Sequence, residues 1–384
     1  MSRPSKTGRR RQLLFLLAPL ALLLVLLAAL EVAARWIVSR RPRPIVYSGV
    51  EHPPYFNAPG ITGAPPIVGF PITYRINRSG LRGPEVAKSK TERRRILVLG
   101  DSVVYGLAVH DHETFPAQLE RQLNEGQERG WEVLNGGVSG YDAQDYAGFL
   151  RLKGLELEPD IVLLGLYRND HVNARTLGAS PAAPASPRPP QRLRNFMLRS
   201  ELIKGGMELL RRSRRSKFRF TLGRTLDEAG ENRVRSYFKT DAATADAVIR
   251  FVNDYRYDPS VVESVLPWLL DQKGWENVAK PLKEIKGLCR SRGIKLLVLI
   301  FPVQFEVFPG YRWPEPDRTV ERILNSSGIS FVNLKPLMTL TGRGDEFYLE
   351  RGDLGHPSAE AYELAAAAAR RKLADLGWTR EPKR

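Results

Sequence analysis

The chain has 384 residues, of which 42% are hydrophobic, so it can form one large domain or two smaller ones with a substantial apolar core. Its formal net charge is +17, but residues 191–224 carry +9 of it, so the basic character belongs largely to one segment. The single cysteine, Cys289, excludes an intramolecular disulfide and a cysteine-rich metal site.

A basic tail, residues 1–12, precedes a long apolar run. Residues 13–30 are eighteen consecutive apolar residues, and apolar positions continue to Ile37. A segment of this length can cross a bilayer as a helix, whereas a cleaved signal peptide has an apolar core of about 7–15 residues. Residues 13–37 are therefore predicted to be an uncleaved, single-pass signal-anchor. Because long C-terminal domains translocate largely regardless of flanking charge, the part of the chain after residue 37 is predicted to lie outside the cytoplasm.

Residues 38–93 are rich in proline and glycine. Such composition predicts an extended juxtamembrane stalk, with short edge strands near residues 72–77. The globular domain is predicted to span residues 94–376 and to be followed by a short tail, 377–384.

Strand and helix patterns alternate within this domain. Apolar runs predict strands at 95–100, 131–134, 161–164, 295–301 and 330–332. Helical periodicity predicts helices at 115–123, 143–154, 276–291, 316–325 and 358–376. This alternation indicates an α/β fold with a doubly wound, flavodoxin-like parallel sheet. Residues 175–272 break the order and are interpreted as a helical insertion or cap.

The first predicted strand of the domain runs directly into Gly100-Asp101-Ser102. Open α/β sheets bind ligands at the carboxyl ends of their strands, so Ser102 is a candidate nucleophile. A serine hydroxyl needs a base within hydrogen-bond reach, usually a histidine oriented by a carboxylate. Asp353 and His356, three residues apart before the last helix, are candidates for these two partners. The alternative is that Ser102 only caps a helix.

Three further polar blocks follow predicted strands or precede the last helix. In chain order, the four blocks are Gly100–Gly106, Asn135–Tyr141, Tyr167–Asp170 and Asp353–Pro357. Together they resemble the SGNH hydrolases, also called GDSL-type esterases and lipases. The resemblance covers residues 94–173 and 276–376. It departs from the family pattern at Tyr167, where a glycine is usual, and this departure bears on substrate size.

The resemblance implies a catalytic triad of Ser102, His356 and Asp353. It also implies an oxyanion hole formed by the backbone N–H groups of Ser102 and Gly140 and by the side chain of Asn169. Neither a metal nor a cofactor is implied, and the chain has no Walker loop and no G-x-G-x-x-G motif after a strand.

The resemblance implies a serine-dependent ester hydrolase that acts on O-acyl groups of a glycan or lipid. An O-acyltransferase of cell-surface polysaccharide would use the same triad and remains an alternative. A non-catalytic glycan- or lipid-binding module is the second alternative.

The basic segment, residues 191–224, has three interpretations: a solvated cap surface, a contact with anionic lipid headgroups, or a docking site for an acidic polysaccharide. Nucleic acid is not an expected partner of a domain outside the cytoplasm.

Overall fold

The chain divides into two compact units, Met1–Arg43 with Ala183–Thr221 and Pro44–Ala182 with Leu222–Arg384. The computed structural model describes residues 19, 21–23, 25–36, 45–63, 72, 74–87, 90, 93–107, 109–126, 130–171, 225–255, 266, 270–314, 317–341, 346–348 and 356–379.

In the first unit, residues 21–23 and 25–36 are helical. Among the residues that the structure describes, no helix has both the length and the apolar character needed to cross a membrane. Residues 13–18, 20, 24 and 37 of the predicted anchor lie outside the described residues, as does the whole basic segment 191–224.

The second unit holds the sheet. The strands are β1 Ile45–Tyr47, β2 Tyr55–Asn57, β3 Thr62–Gly63, β4 Tyr74–Arg75, β5 Arg94–Gly100, β6 Trp131–Gly137, β7 Ile161–Leu166, β8 Lys295–Ile300 and β9 Ser330–Asn333. Strands β5 to β9 form one parallel sheet in the order β6-β5-β7-β8-β9. This is the flavodoxin-like order, whose topological switch point lies between β5 and β7. The prediction of a doubly wound parallel sheet is confirmed.

Helices cover both faces of this sheet. The described helices of this unit are α1 Ser102–Tyr105, α2 Phe115–Asn124, α3 Ala143–Leu152, α4 Glu228–Tyr237, α5 Ala242–Tyr255, α6 Gln272–Glu276, α7 Ala279–Ser291, α8 Asp317–Ser326, α9 Lys335–Leu340 and α10 Ala359–Asp375. Side chains alternate across a strand, so Ile96 and Val98 pack with α2 and α10, whereas Leu97 and Leu99 pack with α3 and α7. The buried apolar runs of the sequence therefore supply two cores, one on each face of the sheet.

The described part of the predicted insertion includes two helices, α4 and α5. These helices bury Val234 and Phe251 against the first core. Phe251 packs edge-on to Phe305 and Phe308, which follow β8, with ring centroids 6.1 and 5.4 Å apart. The cap therefore rests on the segment that leaves the carboxyl end of β8.

The segment predicted as an extended stalk is, in its described part, folded onto the sheet unit. Strand β1 pairs with β2 and β3 with β4, and Phe56, Ile76 and Leu81 are buried. Arg82 is also buried and donates hydrogen bonds to the Tyr105 and Val109 carbonyls at 2.7 and 2.6 Å. The stalk interpretation is wrong here because proline and glycine indicate a lack of long regular elements and say nothing about packing.

Candidate active site

Ser102 lies at the topological switch point of the sheet. Strand β5 pairs with β6 on one side and with β7 on the other, and α1 begins at Ser102, two residues after β5 ends. The N-cap of α1 is Asp101, whose Oδ1 accepts a 2.8 Å hydrogen bond from the Val103 N–H. The helix-cap interpretation of Ser102 is therefore wrong, because its neighbour performs that role. The hydroxyl of Ser102 remains available for other contacts.

Three glycines let α1 lie directly on the sheet. A Cβ added at Gly100 or Gly165 would lie 2.2 or 2.5 Å from the Val104 side chain. A Cβ added at Gly137 would lie 2.2 Å from the Tyr105 backbone nitrogen. These glycines belong to three adjacent strands, and real Cβ atoms do not approach neighbouring atoms so closely. The Ser102 helix therefore depends on small residues in two other strands.

The Asn169 side chain comes from the turn after β7. Asp170 fixes this turn, since its Oδ2 accepts a 2.8 Å hydrogen bond from the Tyr167 N–H and its Oδ1 accepts one of 2.6 Å from the Tyr146 hydroxyl. Burial and the nearby Asp101 charge raise the pKa of Asp170 well above its usual range. Asp170 is therefore a buried acceptor that shapes the turn.

Asp101 interacts with three predicted site residues: Ser102 and Asn169 through hydrogen bonds, and His356 through its charge. Burial raises the pKa of this fully buried carboxyl. Hydrogen bonds from the Val103 N–H, the Asn169 side chain and the Ser102 hydroxyl oppose that rise, as does the charge of a protonated His356. The Ser102 Oγ lies 3.4 Å from Asp101 Oδ2. Ser102 and Asn169 therefore both hydrogen-bond to Asp101, and His356 lies near enough for its charge to act on the same carboxyl.

Contacts of the residues next to His356 fix the position of its segment. Pro357 pairs with Tyr348 in an isolated antiparallel bridge, and the Tyr348 hydroxyl donates a 2.6 Å hydrogen bond to the Pro302 carbonyl after β8. In α10, the Tyr362 hydroxyl donates a 2.6 Å hydrogen bond to the carbonyl of Val103, the residue after Ser102. Asp353, the predicted third member of the triad, lies outside the described residues.

Gly140 lies in the turn after β6, with a φ of +84° that favours glycine. Two side chains of strand β2 hold this turn in place. The Tyr55 hydroxyl donates a 2.9 Å hydrogen bond to the Ser139 carbonyl, and Asn57 Nδ2 donates one of 3.1 Å to the Gly137 carbonyl. Sequence reasoning missed Tyr55 and Asn57, since no local pattern links them to residues about 80 positions away.

Within the described ranges, one group of side chains has the spacing of a metal site. Ligand atoms of His52, Asp142 and Asp145 lie within 4.8 Å of one another. Asp142 Oδ1 already accepts hydrogen bonds from the backbone of Gln144 and Asp145 at the start of α3. Asp145 in turn accepts from the Asp142 N–H at 3.3 Å and lies 2.8 Å from His52 Nδ1. Helix capping accounts for this grouping, and we assign no metal to it.

Asp145 makes the folding stability depend on pH. Burial, and secondarily the charge of Asp142, raise the pKa of Asp145 to about 6, although the hydrogen bond with His52 opposes the rise. An aspartate in an unfolded chain titrates near about 4, so the folded state binds this proton more tightly. The contribution of this group to stability therefore falls as pH rises from about 4 through about 6.

We expect Asp145→Asn to gain stability relative to the wild type across that pH window. Above it, Asp145 is ionised in both the folded and the unfolded chain, so its own contribution no longer changes with pH. Urea unfolding at several pH values between 4 and 7 measures the effect. Asp254→Asn, at an exposed position of α5, is the matched control. Parallel pH dependences for the two variants would contradict the assignment.

Comparisons with known proteins find similarity at the level of solved structures. No family model matches the chain, and no curated protein matches it. A lipase/acylhydrolase from Enterococcus faecalis has 16% identity and a TM-score of 0.38, covering 76% of this chain and 99% of its own. The esterase EstA from Pseudoalteromonas sp. has 12% identity and a TM-score of 0.37, covering 74% and 98%.

A mutant of an acetyl-xylooligosaccharide esterase from Geobacillus has 13% identity and a TM-score of 0.36, covering 75% of this chain and 97% of its own. Similarity at this level does not establish a shared activity. We therefore infer the roles of the site residues from the contacts around Asp101.

Proposed function

We propose that this protein is a serine-dependent hydrolase of ester bonds. The observation that supports the proposal is that the Ser102 hydroxyl and the Asn169 side chain both hydrogen-bond to Asp101, a buried carboxyl whose pKa the charge of His356 also lowers, at the carboxyl edge of the sheet. This edge, at the switch point of a parallel sheet, is where α/β proteins bind ligands. The three side chains offer the parts of acyl transfer: a hydroxyl nucleophile, a base, and an amide donor that does not titrate.

The proposed reaction has two steps. His356 takes the Ser102 proton as the hydroxyl attacks the ester carbonyl, and then gives that proton to the departing alcohol. Water that His356 deprotonates then attacks the acyl group on Ser102, and His356 returns the proton to the departing Ser102 oxygen. The Asn169 amide and the backbone N–H groups of Ser102 and Gly140 would donate to the oxyanion of each tetrahedral intermediate. Asp353 would orient His356.

Chemical labelling tests this function directly. A fluorophosphonate reacts with an activated serine, so we expect one labelled residue, Ser102, located by mass mapping. Ser102→Ala should abolish labelling, whereas Ser291→Ala, an exposed serine at the end of α7, should not. An intact, folded protein that does not label would contradict the proposal and favour a non-catalytic binding module.

The substrate class and location are further parts of the proposal. We propose that the substrates are O-acyl groups on a glycan or lipid outside the cytoplasm, since a signal-anchor at residues 13–37 would hold the hydrolase at the membrane. Retention of the full-length protein in carbonate-washed membranes, with the C-terminal domain open to external protease, would support this location. A soluble mature form that begins after about residue 34 would contradict it.

The proposed role of residues 191–224 is contact with an anionic surface. Replacing Arg211, Arg212, Arg214 and Arg215 by glutamine should weaken binding to anionic vesicles or an acidic glycan, and salt should imitate the change. Turnover of a small ester should stay within a few-fold of the wild type. Transfer of the acyl group to a sugar hydroxyl in place of water would identify the acyltransferase alternative.

A further inference from the structure

The residue directly before Asn169 is a fully buried arginine. Arg168 has no solvent-exposed side-chain surface, and neither does the Glu306 carboxylate that it contacts. Arg168 Nε donates a 2.8 Å hydrogen bond to Glu306 Oε2, and Nη2 donates one of 2.5 Å to Asp317 Oδ1. Asp317 also accepts a 2.7 Å hydrogen bond from Lys335 Nζ. The guanidinium is thus held by two carboxylates that come from different parts of the chain.

These partners belong to the segment after β8. Glu306 lies in the short 3-10 turn Gln304–Val307, where its Oε2 also accepts a 2.8 Å hydrogen bond from the Val303 N–H. Asp317 is the first residue of α8. Arg168 therefore ties the turn after β7 to the turn after β8 and to the start of the next helix. All these points lie beyond the carboxyl ends of adjacent strands.

Space filling is a poor explanation for this arrangement. Removing charges from water is costly, and well-packed apolar residues of similar volume are often at least as stabilising as a buried ion pair. A guanidinium does, however, offer a rigid planar fork of donors that fixes direction as well as distance. We therefore expect Arg168 to contribute by fixing the position of the groups it contacts, and only secondarily to stability.

The backbone on both sides of Asn169 is held by buried ionisable residues. On one side, Arg168 is held by Glu306 and Asp317; on the other, Asp170 accepts from the Tyr146 hydroxyl and the Tyr167 N–H. Asn169 itself is only partly buried. We propose that Arg168 is a positioning residue, which uses Glu306 and Asp317 to hold the Asn169 carboxamide where the oxyanion develops. This inference rests on the proposed hydrolase function.

The chain offers a matched control at the opposite end of the sheet. Arg95, near the start of β5, is also fully buried, and its Nε donates a 2.7 Å hydrogen bond to Glu132 Oε2. Its Nη1 donates a 2.5 Å hydrogen bond to the Leu157 carbonyl. Arg95→Lys and Arg168→Lys each remove a planar fork from a buried ion pair. Only Arg168 adjoins the proposed oxyanion hole.

The experiment is a double-mutant cycle on hydrolysis of a small aryl ester. We expect Arg168→Lys to lower kcat by about 10²-fold, since a small misplacement near the reacting atoms has effects of that size, with KM within a few-fold of the wild type. Asn169→Ala alone should lower kcat by about 10²–10³-fold. Adding Arg168→Lys to Asn169→Ala should lower kcat less than three-fold further, because both changes act through one amide. Arg95→Lys should leave kcat within a few-fold while it lowers Tm.

Each result decides the inference. An unchanged kcat in Arg168→Lys, or losses that multiply in the double variant, would overturn it even if Tm falls. If Arg168→Lys does not fold, Glu306→Gln, which keeps the size of the partner and removes its charge, enters the same cycle. Ser102-dependent turnover with multiplying losses overturns the positioning role alone. Absence of Ser102-dependent turnover in the wild type overturns the proposed function and this inference together.

Discussion

Ser102→Ala is expected to lower kcat/KM for a short aryl ester by at least about 10⁴-fold, since loss of a triad nucleophile has effects of this order or larger. The residual rate would come from the oxyanion donors and from binding. The fold should persist, because the cap of α1 is the hydrogen bond from the Val103 N–H to Asp101 Oδ1, which does not involve the Ser102 side chain. Steady-state kinetics and thermal unfolding of the purified protein measure both parts.

The control for this variant is Ser291→Ala, which removes a hydroxyl that donates only to the Leu288 carbonyl within α7. Its kinetics should match those of the wild type. If Ser102→Ala turned over near the wild-type rate, the nucleophile would be another group and the proposed mechanism would be wrong. A collapse of Tm in Ser102→Ala would instead assign the hydroxyl a structural role through its contact with Asp101.

His356→Ala is expected to cause a loss of similar size, because the base that activates Ser102 and protonates the leaving group would be absent. In the wild type, kcat/KM should rise with pH through one ionisation, since only the neutral imidazole accepts a proton. That acid limb should disappear from the residual activity of the variant. The measurement is kcat/KM across about pH 5–8, the range in which histidine usually titrates.

His112→Ala provides the control, because the imidazole of His112 is 81% exposed. Its pH profile should be unchanged. Added imidazole should restore part of the activity of His356→Ala if the lost group is a base. A flat wild-type profile, or an acid limb that survives in His356→Ala, would show that another residue performs the proton transfer.

Local sequence patterns were sufficient to predict the central strands of the sheet. The apolar run at 95–100 predicts β5, which the structure gives as Arg94–Gly100, and the run at 161–164 predicts β7, Ile161–Leu166. Strands buried on both faces must be apolar along their length, so such runs are visible without any tertiary information. The abrupt change to Gly-Asp-Ser then marks the carboxyl end of β5, where Ser102 begins α1.

Local sequence patterns could not predict the contacts between residues far apart in the chain. Arg168 and Glu306 are separated by 138 positions, and Tyr55 and Ser139 by 84. The spacing of apolar residues predicts which face of a helix or strand is buried, but it does not identify the distant segment that covers that face. The composition of residues 38–93 therefore predicts a stalk, although Phe56 and Arg82 are buried in the second unit.

The surroundings of Asp101 also depend on contacts between distant parts of the chain. Asp101 is buried, hydrogen-bonded to Ser102 and Asn169, and within reach of the charge of His356 only when the carboxyl ends of β5 and β7 and the start of the last helix come together. The sequence by itself determined which residue types follow each strand, because backbone geometry and burial act locally. Only the tertiary structure decided which of them share a carboxylate and which arginine lies behind Asn169, because those contacts depend on strand order and on the packing of segments far apart in the chain.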